Sequence, residues 1–182
     1  AAASLILTYF ILTHQSPSSP SNIPDTPVVP AGEENSSVFL ALKDLYEETN
    51  GLNWNRRDNW MNTSVTVCKW FGVKCKNSVL TELHLISNNL VGRIPDRIAD
   101  LGNLTEVDLT NNSIEGNLPL AFLELTLLTT LKLGGNKFSG TIPPEFSKTS
   151  FRILDLSSNE LIGTIPDMLG MQLNMVELNL SH

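Results

Sequence analysis

One segment of the chain contains the pattern from which the fold can be derived. Residues 80–95 read Leu80-Thr81-Glu82-Leu83-His84-Leu85-Ile86-Ser87-Asn88-Asn89-Leu90-Val91-Gly92-Arg93-Ile94-Pro95. The alternation of apolar and other residues around Leu83 and Leu85 is typical of a short β-strand with one buried face. The residues that follow, Asn88 and Gly92 among them, favour turns, and a proline closes the segment.

The same pattern recurs along the chain at a nearly constant interval. Successive asparagines are 24, 24 and 23 residues apart, and each is followed four residues later by a glycine and three residues after that by a proline. Two apolar positions separated by one residue precede each asparagine, and a fifth copy begins within residues 175–180. A period of this length indicates a solenoid of stacked repeats. The repeated positions are Asn88, Asn112, Asn136 and Asn159; Gly92, Gly116, Gly140 and Gly163; and Pro95, Pro119, Pro143 and Pro166.

From this pattern, packing considerations predict an α/β solenoid. One coil cannot bury its own leucines, so neighbouring coils stack and share a continuous core. Residues 80–182 are therefore predicted to form four complete stacked repeats and a truncated fifth, with a parallel β-sheet along one side. The asparagine side chains are suited to bond backbone groups in and beside their own coil, so their column is predicted to be a buried structural ladder. These amides need such partners, because a buried amide without partners costs about 1–3 kcal/mol. The fixed φ of each proline predicts an extended return arm.

The repeat unit, L-x-x-L-x-L-x-x-N-x-L-x-G-x-I-P, resembles the leucine-rich repeat in its plant-type, 24-residue form. The resemblance covers residues 80–182. Residues 37–79 contain the motif Y-x-x-T-N-G-x-N-W, from Tyr46 to Trp54, and the segment Cys68-Lys69-Trp70-Phe71-Gly72-Val73-Lys74-Cys75. These residues resemble the N-terminal cap that precedes plant-type repeats, in a version similar to that of protist surface proteins. The resemblance therefore implies, over most of the chain, a right-handed leucine-rich-repeat superhelix with a helical N-terminal cap and the parallel β-sheet on its concave side.

The proposed cap is also expected on physical grounds, since a solenoid end exposes apolar core residues. Residues 37–49 carry apolar side chains at helical spacing, with Ser36 or Ser37 to cap the start, and so predict a helix. Large aromatic residues follow and are suited to covering the first coil. The helix-face residues are Val38, Phe39, Leu42, Leu45 and Tyr46, and the later aromatic residues are Trp54, Trp60, Trp70 and Phe71.

The chain has two cysteines, Cys68 and Cys75, separated by six residues. In an exported protein such a pair predicts a disulfide bond. A two-cysteine metal site and a redox pair are the alternatives. The first has no histidine nearby, and the second is more often spaced C-x-x-C.

The chain begins with an uncharged apolar run over residues 1–12, shorter than the roughly 20 residues that a membrane-spanning helix needs. We interpret this run as the truncated end of a signal peptide or of a membrane anchor. Residues 13–36 contain five prolines and a cluster of serines, which predicts a disordered stalk. No Lys or Arg precedes Lys43, so the rest of the chain is predicted to face outward, since positive charge stays on the cytoplasmic side.

The composition argues against several classes of function. The chain has 12 Lys and Arg against 19 Asp and Glu, a formal net charge of −7 and no basic run, which argues against nucleic-acid binding. Its three histidines are far apart, and no metal site is predicted. We find no nucleophile–base set and no phosphate-binding glycine loop, so the chain is predicted to be neither an enzyme nor a cofactor binder.

The strand positions between the inward leucines are predicted to face outward on the concave side, where solenoids generally bind partners. Their charges are mostly acidic, which would suit a basic peptide or protein, although polar residues at exposed strand sites are also ordinary. We interpret His84 as solvated surface. The predicted ligand-binding residues are Glu82, His84, Glu106, Asp108, Thr130, Lys132, Asp155 and Glu177.

Five N-x-S/T sequons fit an exported protein and are predicted glycosylation sites. Two of them, at Asn111 and Asn179, lie near the predicted strand face, where glycans would obstruct binding. The five sites are Asn35, Asn62, Asn103, Asn111 and Asn179.

The family resemblance implies a function outside the cell. Plant-type leucine-rich-repeat proteins include ectodomains of receptor-like kinases, inhibitors of cell-wall-degrading enzymes and surface proteins of protists. Our first hypothesis is an extracellular recognition module of a membrane-tethered protein, which binds a protein, peptide or glycan on its concave face. The alternatives are a secreted inhibitor of cell-wall-degrading hydrolases and a structural or adhesive surface protein, so the chain is predicted to be membrane-anchored or secreted.

Overall fold

A computed structural model describes residues 36–167, 169 and 174–181 of the 182-residue chain. The predicted anchor segment 1–12, the predicted stalk up to residue 35 and the sequon at Asn35 lie outside the described residues. In the described part, no helix combines the length and the apolar character needed to cross a bilayer. The division of the chain into anchor, stalk, cap and repeats remains a prediction.

The described part begins with one α-helix, α1 (Ser37–Glu48). Ser36 caps this helix, since its hydroxyl oxygen accepts a hydrogen bond from the backbone N–H of Phe39 at 3.1 Å. After the helix, Asn50 turns the chain in a left-handed conformation with φ of 58°, which asparagine tolerates better than most residues. The inward face of α1 buries Phe39, Ala41, Leu42, Leu45 and Tyr46.

Aromatic side chains join α1 to the first coil. Tyr46, Trp54, Trp60 and Trp70 contact one another with ring centroids 4.6–5.9 Å apart. The indole N–H of Trp54 donates to the carbonyl oxygen of Thr49 at 2.9 Å, so its burial leaves no polar group unpaired. These rings belong to the same buried cluster as the leucines of the repeats and extend the core over the first coil.

Ten short strands follow in the part of the chain that the structure describes, and they form two sheets. In chain order they are β1 (Val73–Lys76), β2 (Val79–His84), β3 (Val91–Gly92), β4 (Glu106–Asp108), β5 (Ser113–Asn117), β6 (Thr130–Lys132), β7 (Lys137–Gly140), β8 (Ile153–Asp155), β9 (Glu160–Leu161) and β10 (Glu177–Asn179). One sheet has the order β1-β2-β4-β6-β8-β10 and is parallel except between β1 and β2. The other has the order β3-β5-β7-β9 and is parallel throughout.

The inward side chains of the six-stranded sheet form the core that the repeat pattern predicts. Leu83 on β2 is in register with Val107 on β4, and Leu131 on β6 is in register with Leu154 on β8. All four side chains are fully buried. The predicted α/β solenoid with a parallel sheet and a helical cap is therefore confirmed.

The return side of each coil differs from the extended arm that the sequence predicts. Pro95, Pro119 and Pro143 are themselves extended, but each is followed by a short 3-10 helix. Such a helix advances about 2.0 Å per residue instead of the about 3.3 Å of a strand, so each arm stays compact and drops an apolar side chain into the core. The three helices are Asp96–Asp100, Leu120–Glu124 and Pro144–Lys148, and they bury Ile98, Phe122 and Phe146 respectively.

The repeated asparagines lie in one column and hydrogen-bond successive coils to each other. The side-chain Nδ2 of Asn112 donates to the carbonyl oxygens of Leu85 and Leu109 at 2.8 Å each. Its Oδ1 accepts from the backbone N–H groups of Asn88 and Leu90 at 2.9 and 3.0 Å. The next two asparagines of the column also bond both their own coil and the preceding one.

The first asparagine of the column connects the repeats to the cap. Asn88 accepts from the backbone N–H of Arg56 at 2.6 Å and donates to the carbonyl of the same residue at 2.9 Å. Nearby, the backbone N–H of Arg93 donates to the carbonyl of Glu48 at 3.2 Å. Gly92 lies against that carbonyl with φ of 126°, and a side-chain carbon there would collide with the oxygen. Only glycine therefore fits at this contact between the cap and the first repeat.

The two cysteines form the predicted disulfide, with the Cα atoms of Cys68 and Cys75 5.6 Å apart. Both sulfur atoms are engaged in this bond, so the cysteines cannot ligate a metal ion as thiolates in the oxidised protein. The bond ties the turn before β1 to the strand itself.

Replacing Asn136 by alanine is expected to lower the free energy of unfolding by about 3 kcal/mol, because buried backbone groups lose their partners. These groups are the carbonyls of Leu109 and Leu133 and the N–H of Ile114. Urea unfolding followed by circular dichroism measures the change. The exposed Asn103, replaced by alanine, is the matched control and should change stability by less than about 0.5 kcal/mol. Equal losses in the two variants would contradict the role of the column.

Candidate functional site

The outward side chains of the six-stranded sheet form three rows across the coils, which together we call the concave face. The period of the repeat brings equivalent positions of successive coils side by side. All eight predicted ligand-binding residues lie in the first two rows, so the structure brings them together on one surface. The first row is Glu82, Glu106, Thr130, Ile153 and Glu177; the second is His84, Asp108, Lys132, Asp155 and Asn179; and the third is Ile86, Thr110, Gly134, Ser157 and Ser181.

Two of the predicted ligand-binding carboxylates are engaged by the backbone of their own coil. Asp108 Oδ1 accepts from the N–H of Thr110 at 3.1 Å and from its hydroxyl at 2.5 Å. Asp155 Oδ1 accepts in the same way from Ser157, at 3.0 and 2.6 Å. Asn179 occupies the equivalent position of the last coil and makes the same pair of bonds. These side chains close the turn after each strand, which is a structural role.

The other charged groups give the concave face a negative character. Glu82 and Glu106 keep about a third of their side chains exposed, and Glu177 is exposed at the last described strand. Two cations lie nearby in the described structure: the Nζ of Lys132 is 3.9 Å from the nearest carboxylate oxygen, and the Nζ of Lys74, on β1, is 3.1 Å from Glu82 Oε2. The pair between Lys74 and Glu82 is largely exposed and therefore weak, so the Glu82 carboxylate remains available to a partner.

His84 is less exposed than the sequence predicts. Only 22% of its side chain is accessible, whereas the sequence predicts a solvated imidazole. Its Nε2 lies 3.3 Å from Glu106 Oε1 and 3.5 Å from Glu82 Oε2, and this atom is buried without a hydrogen bond to any described residue. Sequence reasoning missed this group because its members come from two repeats. The signal was present as Glu-x-His in one strand and a second Glu 24 residues after the first.

The described sequons differ in their surroundings. Asn62, Asn103 and Asn111 are exposed, whereas Asn179 is half-buried and its side-chain oxygen is engaged by Ser181. Asn62 and Asn103 lie outside the three rows, and Asn111 directly follows a third-row residue. Glycosylation at these positions remains a prediction.

Comparisons with known proteins agree with this architecture. The family model described as Leucine Rich Repeat matches residues 103–125, 127–149 and 150–171. The chain is also similar to the crystal structure of the BIR3–SERK2 complex from Arabidopsis thaliana, with 32% identity over 78% of this chain and 79% of that chain and a TM-score of 0.70. The chain belongs to the leucine-rich-repeat family. Its repeats are of the plant type found in receptor-kinase ectodomains, and it is not an enzyme.

Two further structures resemble this leucine-rich-repeat protein. The BIR2 ectodomain from Arabidopsis thaliana is 29% identical over 77% of each chain, with a TM-score of 0.71. The ectodomain of the receptor kinase GASSHO1/SCHENGEN3 from the same plant, in complex with CASPARIAN STRIP INTEGRITY FACTOR 2, is 29% identical with a TM-score of 0.67. The match covers 80% of our chain but only 18% of that receptor ectodomain. No curated protein sequence matches the chain.

Replacing Asp108 by alanine in this leucine-rich-repeat protein is expected to lower the free energy of unfolding by about 1–2 kcal/mol, because Thr110 loses the acceptor of two hydrogen bonds. Glu106→Ala removes a carboxylate that lies on the same strand but closes no turn, and should lower the free energy of unfolding by less than about 0.5 kcal/mol. Asp108→Asn keeps an acceptor oxygen and should fall between the two. Urea unfolding midpoints measure all three variants. If Glu106→Ala were as destabilising as Asp108→Ala, the assigned role of Asp108 would be wrong.

Proposed function

We propose that this chain is an extracellular, non-catalytic recognition module that binds a protein or peptide on its concave face. Two similar structures support this proposal, because one is a complex of BIR3 with SERK2 and the other is an ectodomain in complex with CASPARIAN STRIP INTEGRITY FACTOR 2. The observation that carries the proposal is the difference between the two faces of the six-stranded sheet. The inner side chains of β2, β4, β6 and β8 are buried in the core, whereas the outward carboxylates of Glu82, Glu106 and Glu177 close no turn.

The chemistry of the concave face favours a basic partner with apolar side chains. The carboxylates of Glu82, Glu106 and Glu177 close no turns, and complementary charges raise the rate and the specificity of association. Ile86, in the third row, is 48% exposed and offers apolar area that a partner can remove from water. A glycan is the alternative partner class, and the experiment below separates the two.

A membrane tether is part of the proposal and rests on the sequence. The apolar run 1–12 would be the truncated end of a membrane anchor, and residues 13–36 would separate the module from the bilayer. A proline-rich segment extends by about 3.1 Å per residue, so these 24 residues would span up to about 75 Å. Glycans at Asn62 and Asn103 would lie outside the three rows and leave the concave face accessible.

A peptide selection on the full-length chain tests the proposal. The immobilised protein is panned against phage that display random peptides, and enriched sequences are synthesised and measured by biolayer interferometry. We expect enriched peptides to carry a net positive charge. Thr130→Trp, in the middle of the first row, is expected to weaken their binding by about tenfold or more, because the indole fills the space above the sheet.

The matched control places the same side chain elsewhere. Thr126 is exposed in the turn after the helix Leu120–Glu124, outside the sheet, and Thr126→Trp should leave peptide binding unchanged. The proposal fails if no peptide is enriched above an unrelated protein, or if both tryptophan variants bind equally well. If the chain binds no peptide but binds soluble oligosaccharides, and Thr130→Trp abolishes that binding, the partner is a glycan and not a protein or peptide.

A further inference from the structure

One end of the concave face brings three metal-ligating side chains together. Strand β2 supplies Glu82 and His84, which are two residues apart and therefore point to the same side of the strand. Strand β4 supplies Glu106, which is in register with Glu82. One donor atom from each side chain lies within 4.8 Å of the other two.

The distances between the donor atoms fit a shared ion better than direct hydrogen bonds. His84 Nε2 is 3.3 Å from Glu106 Oε1 and 3.5 Å from Glu82 Oε2. A direct N–H···O bond would be about 2.9 Å long. Donor atoms held tetrahedrally around zinc at about 2.0–2.2 Å are about 3.3–3.5 Å from one another. The two distances from His84 Nε2 therefore match those between ligands of a tetrahedral site, and the two carboxylates lie within 4.8 Å of each other.

The imidazole nitrogen at the centre of this group makes no hydrogen bond to any residue that the structure describes. Nε2 of His84 is buried and faces the two carboxylates without bonding either, and such an atom calls for an explanation such as a bound ion. The donor set also indicates the kind of ion. One imidazole with two carboxylates suits zinc and related transition metals, whereas magnesium and calcium prefer oxygen ligands alone.

We propose that Glu82, His84 and Glu106 form a binding site for Zn²⁺ or a similar divalent transition metal on the concave face. Three protein ligands leave the fourth tetrahedral position to water. The site does not depend on the proposed binding of a peptide, since it is defined by the metal alone. Failure of either proposal leaves the other intact.

Lys74 distinguishes a metal site from a purely structural contact. Its Nζ is 3.1 Å from Glu82 Oε2, the same oxygen that faces His84, and 59% of its side chain is exposed. The ammonium group neutralises part of the charge that a metal ion would neutralise, and the lysine competes with the ion for this carboxylate. Removing this charge should therefore raise metal affinity by about two- to fivefold, the size of a surface ion pair.

Isothermal titration calorimetry of the full chain with ZnCl₂, in a buffer that does not bind metal, tests the site. His84→Ala and Glu106→Gln are each expected to weaken zinc binding by about tenfold or more, because each removes a ligand. Lys74→Gln is expected to tighten binding. The matched control is Glu115→Gln, since Glu115 is an exposed carboxylate on β5 of the other sheet. The zinc affinity of this control variant should equal that of the unmodified chain.

Cobalt gives a second readout. The visible absorption of tetrahedral Co²⁺ is expected with the unmodified chain and should be lost in His84→Ala. The proposal is overturned if the unmodified chain binds no zinc, if both ligand variants bind as tightly as it does, or if Lys74→Gln weakens binding. Circular dichroism verifies the fold of each variant, and Glu106→Gln decides the outcome if His84→Ala does not fold.

Discussion

An asparagine amide bonds each complete repeat to the coil or cap before it, in addition to the backbone hydrogen bonds of the sheets. The strands of the six-stranded sheet contribute only three residues in most coils, too few to be stable by themselves. Where each strand ends, backbone groups turn away from the sheet toward the asparagine column, which is buried at Asn88 and Asn136 but only half-buried at Asn112 and Asn159. Asn136 shows how they are satisfied, since its amide bonds the carbonyl of Leu109 in the preceding coil and that of Leu133 in its own. Without such bonds, the cost of leaving these groups unpaired would offset much of what leucine burial contributes.

This constraint decides where function can be placed. Inward leucines, column asparagines and turn glycines are fixed by packing, and the second-row carboxylates of Asp108 and Asp155 close turns. Only the remaining outward positions can change their side chains without disturbing the fold. Because adjacent strands lie about 4.8 Å apart, residues one repeat apart in sequence become neighbours on the sheet. Glu82 and Glu106 meet across His84 in this way, and the same geometry creates the proposed surface for a partner.

Much of the fold follows from the sequence because its signals are local and repeated. The spacing of leucine, asparagine, glycine and proline predicts the solenoid, the apolar face of α1 predicts the helical cap, and the cysteine pair predicts the disulfide. The second sheet escaped prediction because β3 and β9 are two residues long and carry no alternation. The 3-10 helices escaped because a proline that starts one has the same φ as a proline in an extended arm.

The candidate site was predictable in position but not in chemistry. Strand alternation places all eight residues on one face, yet it cannot separate a carboxylate that closes a turn, such as Asp108, from one that does not, such as Glu106. The burial of His84 depends on Glu106 from the next coil, a neighbour that sequence reasoning about single strands does not consider.

Hydrogen exchange of the full-length chain, followed amide by amide, tests the central claim most directly. The N–H groups of Leu90, Ile114 and Phe138 each donate to the side-chain oxygen of the asparagine one coil further along. If the coils are held together in this way, these three protons exchange as slowly as the slowest strand amides, since they open only when the stack opens. Exchange as fast as that of exposed turn amides would show that the asparagine column does not hold the coils together.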